Sequence, residues 1–251
     1  MINPDKSKSA TALLLVIFNW SFSRGDRERD VRNVSEKLHM SMRTTAKCRY
    51  NAAGRLERQG KYSFFTTTVL SLGLVFIPLM QNAEVPLAFK GNVLNMMQIF
   101  LGVAVLVYSV VIGTARYDMR SSQLTECGDK LKELIRSLEN SREANGGTVS
   151  SDELAKYQRH YSDIVTDVEN HERSDYRFAV LEMVNDYFIC GFPRMKIYLE
   201  AILLSGFSFL LPTLLMGIEV VFITDMVGAT QVLTPYLNGA TVELKNSAFK
   251  Q

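Results

Sequence analysis

The chain has 251 residues, 47% of them hydrophobic, and its 28 Lys or Arg against 26 Asp or Glu leave a formal charge of +2. Soluble domains share that average, so composition alone does not mark the class. Cys48, Cys127 and Cys190 are isolated and odd in number, which leaves no basis for a disulfide framework or a paired-cysteine zinc site. The placement of charge is more telling: residues 1–61 hold 13 basic against six acidic side chains, a net +7, and residues 116–196 hold 12 against 15, a net −3.

In chain order, Thr11–Phe22 is the first apolar stretch. With Lys6 and Lys8 ahead of it, Ala12–Trp20 imitates the front of a secretory signal, but no small-x-small cleavage site follows and Arg24–Arg32 is dense in charge. It is too short to cross a bilayer, and an amphipathic or packed helix is expected. Asp30–Gln59 reads as one helix with a weak point at Gly54 and an end at Gly60. Val31, Val34, Leu38, Met42, Ala46, Ala53 and Leu56 give it an apolar stripe, and its other faces are basic.

Two long stretches then carry no charge at all, one between Lys61 and Glu84 and one between Lys90 and Arg116. At a helical rise of about 1.5 Å per residue, Tyr62–Met80 extends about 30 Å and Val93–Ala115 about 35 Å, the thickness of a bilayer's hydrocarbon. A soluble helix of that length would carry a charged stripe. Both segments are therefore expected to span a membrane. Gln81–Asn92 between them is short and holds Asn82, Pro86, Gly91 and Asn92, so the spans form an antiparallel hairpin. Arg43, Lys47, Arg49, Arg55, Arg58 and Lys61 precede it, and Arg116, Arg120, Lys130 and Lys132 follow it. The loop holds only Lys90, which predicts cytoplasmic flanks and an external loop.

Beyond the second span the helix is expected to continue into the cytoplasm, because no glycine or proline occurs before Gly128. Leu124, Cys127, Leu131, Leu134, Ile135 and Leu138 recur at three and four, a coiled-coil-like seam. Asn145–Gly146–Gly147 breaks it, and Ser150 with Glu153 is a capping-box signature for the next helix. There Leu154, Tyr157, Tyr161, Ile164 and Val168 form a facing seam, predicting an antiparallel stalk. Asp175–Tyr187 is a further helix, with Phe178, Leu181 and Val184 on one side. Ala201–Ile218 is a third uncharged run; it spans when Ile197–Leu199 and Val220–Thr224 are added, which places Glu200 and Glu219 near the interfaces. A re-entrant or interfacial helix is the competing reading. Gln231–Leu237 and Ala240–Leu244, flanking Asn238–Gly239, read as a short β-hairpin, with Pro235 weakening its first strand.

The chain so divides into a basic helical region at 1–61, a transmembrane hairpin at 62–115, a cytoplasmic stalk at 116–190, a third apolar segment at 191–224 and a tail at 225–251. The fold class is an all-α membrane protein with that small C-terminal hairpin. His39, His160 and His171 are scattered, and Glu169–Asn170–His171–Glu172 lacks the second histidine of a metalloprotease helix. With no phosphate-cradling glycine loop and no nucleophile elbow, neither an enzyme nor a cofactor nor a metal is indicated.

Two sets of residues are candidates for function. Asn95, Gln98, Gly102, Ser109 and Gly113 share one face of the second span and suit either a pore lining or packing between helices, since both predict this periodicity. Ser63, Thr67 and Ser71 form a weaker face on the first span, read as packing. Arg43, Lys47, Arg49, Arg55 and Arg58 hold the span inside by topology and lipid contact, or bind an anionic ligand.

Arg43, Lys47, Arg49, Tyr50, Arg55 and Arg58 ahead of the first span resemble the basic pre-membrane helix of SLATT domains, bacterial two-span effectors associated with nucleotide-signalling defence. The second span running into Tyr117 and the Leu124–Leu138 helix fits as well, as does Tyr161 to Asp175 with Glu169–Asn170–His171. The resemblance covers roughly Arg32 to Cys190; Ala201–Ile218 and the tail exceed the two-span pattern. It implies a homo-oligomer that forms pores in the bacterial inner membrane when a defence system is triggered, with the N-terminus cytoplasmic. Its implied partners are the bilayer, further copies of the chain, and a nucleotide or oligonucleotide or the enzyme that makes one. A non-conducting scaffold or receptor that recruits a soluble enzyme is the alternative.

Overall fold

A computed structural model describes residues 28–31 and 33–238. The described residues fold into helices α1 (Val34–Asn82), α2 (Gly91–Ala115), α3 (Tyr117–Ala144), α4 (Ser151–Thr166), α5 (Arg173–Glu182), α6 (Gly191–Gly206), α7 (Leu210–Met226) and α8 (Thr234–Leu237), with a 3₁₀ turn at Phe207–Phe209. The segment Thr11–Phe22 lies outside them. Contacts divide the chain into two units.

One unit holds the described residues up to Glu57 together with Asp118–Phe207. The predicted α3 seam is buried throughout: Leu124, Cys127, Leu131, Leu134, Ile135 and Leu138. The α4 seam meets it through buried Ile164 and partly buried Leu154, Tyr157, Tyr161 and Val168. What the two-helix stalk lacked is a third partner. Leu38, Met42 and Ala46 of α1 complete the same core, so the unit closes as three helices. The α3–α4 turn is as expected: Gly146 and Gly147 take φ of 65° and 90°, open to glycine, and the Ser150 hydroxyl accepts from the Glu153 N–H at 3.3 Å. Gly128 has a packing role, because a Cβ there would lie 2.8 Å from the Tyr50 ring. Among the described residues the only β-type pairing is an isolated bridge between Glu28 and Tyr187.

The second unit holds Arg58–Tyr117 and the described residues from Ser208. Leu70 and Ile77 of α1, Leu94, Met97 and Leu101 of α2, and Phe222 and Met226 of α7 share its core, with Phe89 stacked on Phe222 at 4.7 Å. The Tyr62 hydroxyl meets Thr213 at 2.8 Å, and at the far end the Ala88 N–H donates to Met226 O at 3.0 Å. Helix α7 therefore begins beside the start of the first span and ends beside the α1–α2 loop. It runs parallel to the first span for its whole length.

Val34–Asn82, Gly91–Ala144 and Gly191–Met226 each contain a stretch long and apolar enough to cross a membrane. Their apolar side chains face outward: Phe64, Leu72 and Leu79 on α1, Ile99, Val103 and Leu106 on α2, and Leu210, Leu211 and Leu214 on α7 are all exposed. In water each such group would forfeit about 25 cal/mol per Å² left wet. Hydrocarbon removes that penalty, and the chain is an integral membrane protein.

Several expectations need correction. The basic helix does not end at Gly60; α1 runs 49 residues through Gly54 and Gly60 into the first span. An interior glycine costs about 1 kcal/mol, which packing on both sides of it outweighs. The second span does not continue smoothly into the stalk. Arg116 takes φ 48° and separates α2 from α3, just after the Thr114 hydroxyl takes the Val110 and Val111 carbonyls at 3.0 Å. The helix predicted at Asp175–Tyr187 is α5, shifted to Arg173–Glu182. The third apolar run lies within Gly191–Met226, which is long and apolar enough to span, with a 3₁₀ turn at Phe207–Phe209 between α6 and α7. Pro212 lacks the N–H that would join α7 to the preceding turn.

The β-hairpin is not formed in its described half. Thr234–Leu237 is helical, and Ala240–Leu244 lies outside the described residues. The cause is Asp225, fully buried, whose carboxylate accepts from the N–H groups of Val232, Leu233 and Thr234. That anion at a helix start, with Pro235 in the first turn, favours α8 over a strand.

Candidate functional site

The basic stretch of α1 finds its partners in residues 165–186. Arg43 pairs with Asp186 at 3.1 Å and Lys47 with Glu182 at 2.6 Å, both with basic side chains more than 40% exposed. Arg55 is buried and forks onto the Asp175 carboxylate with two bonds of 3.0 Å, adding Glu172 at 2.9 Å. Asp175 also accepts the Glu172 N–H at 2.9 Å, closing a capping box at the start of α5. Arg49 is wholly buried, and its guanidinium donates to the carbonyls of Glu169 and Val165 and to Asn170 Oδ1. The Val165 carbonyl lies in the last turn of α4, where the helix dipole favours a cation, and the Glu169 carbonyl in the segment that follows. Arg58 is exposed. Four of the five basic candidates thus clamp the Glu169–Asn170–His171 segment and α5 onto α1.

His171 lies beside Arg49, and its buried Nδ1 has no hydrogen-bond partner. Burial first, then the Arg49 charge, pushes its pKa below the ordinary value, against a smaller opposing pull from Asp175. A histidine whose folded pKa is lowered binds fewer protons folded than unfolded, so its contribution is complete above about pH 6.5 and is lost as pH falls. Thermal melts of the detergent-solubilised protein are expected to drop between pH 7.5 and 5.5, and His171→Gln to flatten that slope. Cys48 lies on the same stretch, and burial first, then the charge of Asp175, pushes its thiol up to about 12. It is a packed group and not a nucleophile.

On α2 the polar candidates are only partly brought together. Gln98 donates to Gln81 Oε1 at 2.6 Å, and Gln81 donates to Asn95 Oδ1 at 3.5 Å. Ser109 turns its hydroxyl back on Val105 O at 2.7 Å. A Cβ added at Gly102 or at Gly113 would meet nothing within 4 Å. The residues of α2 buried within the chain are Leu94, Met97, Leu101 and Tyr108. At about 100° per residue, that face lies about 100° around the helix from the polar one. Among the described residues, Asn95, Ser109 and Gly113 of the polar face are exposed, while Gln98, bonded to Gln81 of α1, and Gly102 are half-buried. Of the polar face on the first span, Ser63 bonds across to Tyr108 of α2 at 3.1 Å, while Thr67 and Ser71 bond to their own helix.

One residue was placed wrongly by the sequence reading. Glu219, expected near an interface, lies against Gly73, in the middle of Tyr62–Met80. It lies on a row of α7, Pro212–Leu215–Glu219–Phe222–Met226, at spacings of three and four.

Three apolar helices, a separate helical core and a partly exposed polar face on α2 define an α-helical membrane protein. The chain belongs to the SMODS and SLOG-associating 2TM effector domain family 5, a SLATT family, whose model matches residues 31–218. The match ends one residue before Glu219, so the rest of α7 and the Asp225 loop lie beyond it. No curated protein matches the chain, and no solved structure does.

Proposed function

We propose that the protein is a homo-oligomeric, pore-forming effector of bacterial antiviral defence, opened in the inner membrane by a nucleotide-type signal or a partner enzyme. The observation that carries this is the polar face of Asn95, Gln98, Gly102, Ser109 and Gly113, exposed at Asn95, Ser109 and Gly113. Polar groups at membrane depth seek water or one another, and three helices of one copy enclose no water path. Further copies supply both. Membership of a family of SMODS- and SLOG-associating effector domains supports this reading. The stalk and N-terminus are cytoplasmic in this reading, and the α1–α2 loop is outside.

The ligand-binding part of the reading narrows to the half-exposed bases. Arg43, Lys47 and Lys132, with Tyr50, line a cavity of about 340 Å³ in which an anion can compete with Asp186 and Glu182. Arg49 and Arg55 hold the fold instead.

Cysteines placed at Gln98 and Ser109 test the lining. In a background without native cysteines, both should react with a charged thiol reagent, and faster once the protein is activated. Ile99 and Val110, on other faces, should stay unreactive. Unreactive positions in intact oligomers during active killing would remove this face from the pore.

A further inference from the structure

Glu219 sits in the membrane unit, and among the described residues it has no counter-charge. Its side chain is 1% exposed, and neither carboxyl oxygen makes an ion pair or meets the geometry of a hydrogen bond. What it rests on is the backbone of Gly73. An ideal Cβ at position 73 would lie 1.7 Å from Oε1 and 2.7 Å from Cδ, so only glycine leaves the slot open. Leu70 and Ile77 wall the slot on α1, and Phe222 and Met226 continue it on α7. No basic side chain lies on either facing helix between Lys61 and Glu84 or within Leu210–Met226. The other acid of α7, Asp225, is held by the loop N–H groups that follow it.

Burying a carboxyl group with no partner is costly, and such groups at membrane depth mark a working site. Packing does not account for this one, because leucine would fill the row of α7 without that cost. The group gains its value in an arrangement where it is not buried. We propose that Glu219 sets the ion selectivity of the open assembly. At rest the Gly73 slot stores its carboxyl group; on opening, α7 turns out of the slot and presents one carboxylate per copy to the water path. A ring of carboxylates concentrates cations and repels anions. The inference rests on the pore reading, and it assigns to α7 the charge that the neutral face of α2 lacks.

The test uses the purified full chain in planar bilayers under a KCl gradient. Gly73→Ala drives the carboxyl group from its slot, so this variant is expected to conduct with no trigger and to favour K⁺ over Cl⁻ by roughly tenfold. Adding Glu219→Gln should keep the conductance and bring the ratio close to one. A ratio unchanged by Glu219→Gln in a conducting channel would overturn the proposal and leave the pore reading standing. Because Gly73→Ala can fail to fold, a second arm uses the Gly73→Cys/Glu219→Cys pair in a background lacking Cys48, Cys127 and Cys190. Oxidation should link the pair and hold the protein silent in cells, and reduction should release it. Failure of the pair to link in membrane-inserted protein would overturn the slot itself. Linkage, with no current from any variant, would leave the slot and remove the pore reading together with the selectivity role.

Discussion

Arg55→Leu is expected to destabilise the protein by about 3–5 kcal/mol, the cost of leaving a buried charge without its partner. Asp175 is 1% exposed, and the Arg55 fork supplies two of its bonds. Without the guanidinium, the carboxylate keeps only the capping-box bond from the Glu172 N–H. The Glu172 ion pair contributes little, because that side chain is more than half exposed. The double variant Arg55→Leu/Asp175→Leu should recover much of the loss, since no buried charge then remains. Chemical unfolding of the detergent-solubilised protein measures both. If the single variant is as stable as wild type, Arg55 is not the clamp described.

Leu131→Asp should be more severe. Leu131 is wholly buried where α1, α3 and α4 meet, with Met42, Leu134 and Ile164 in the same core. Losing the leucine costs about 2–5 kcal/mol, and the buried carboxylate adds several more. The protein is expected to lose the stalk fold and with it any toxicity on expression. Glu133→Ala, on the exposed face of the same helix, should stay within about 0.5 kcal/mol of wild type. Normal assembly and killing by Leu131→Asp would show that the seam is not a core.

Local chemistry explains which parts were legible in the sequence. Absence of charge marked both spans of the hairpin, and heptad-like spacing marked every buried position of α3 from Leu124 to Leu138 except Gly128. The Asn145–Gly146–Gly147 break and the Ser150 cap are short-range signals and fell where expected. Tertiary effects were not legible. Gly60 resembled a helix stop because nothing in its own neighbourhood shows that α1 is packed before and after it. The partners of Arg43, Lys47, Arg49 and Arg55 were not legible because they lie more than a hundred residues away in sequence; Arg43, Lys47 and Arg58 are the basic candidates that keep exposure. The Asn238–Gly239 signal misled about the tail because Asp225 organises the preceding residues from outside the turn. The depth of Glu219 was not legible because its neighbour Gly73 lies on a helix nearly 150 residues away in sequence.

The central claim, that copies of this chain open a water path along α2, is tested most directly by current across planar bilayers containing the purified protein. Recordings with oligonucleotides, and with a partner enzyme present, should show discrete conductance steps that Gln98→Leu reduces, because an apolar constriction sheds water and blocks ions. A protein that binds its partner yet passes no current under any of these conditions would contradict the account and favour a non-conducting scaffold.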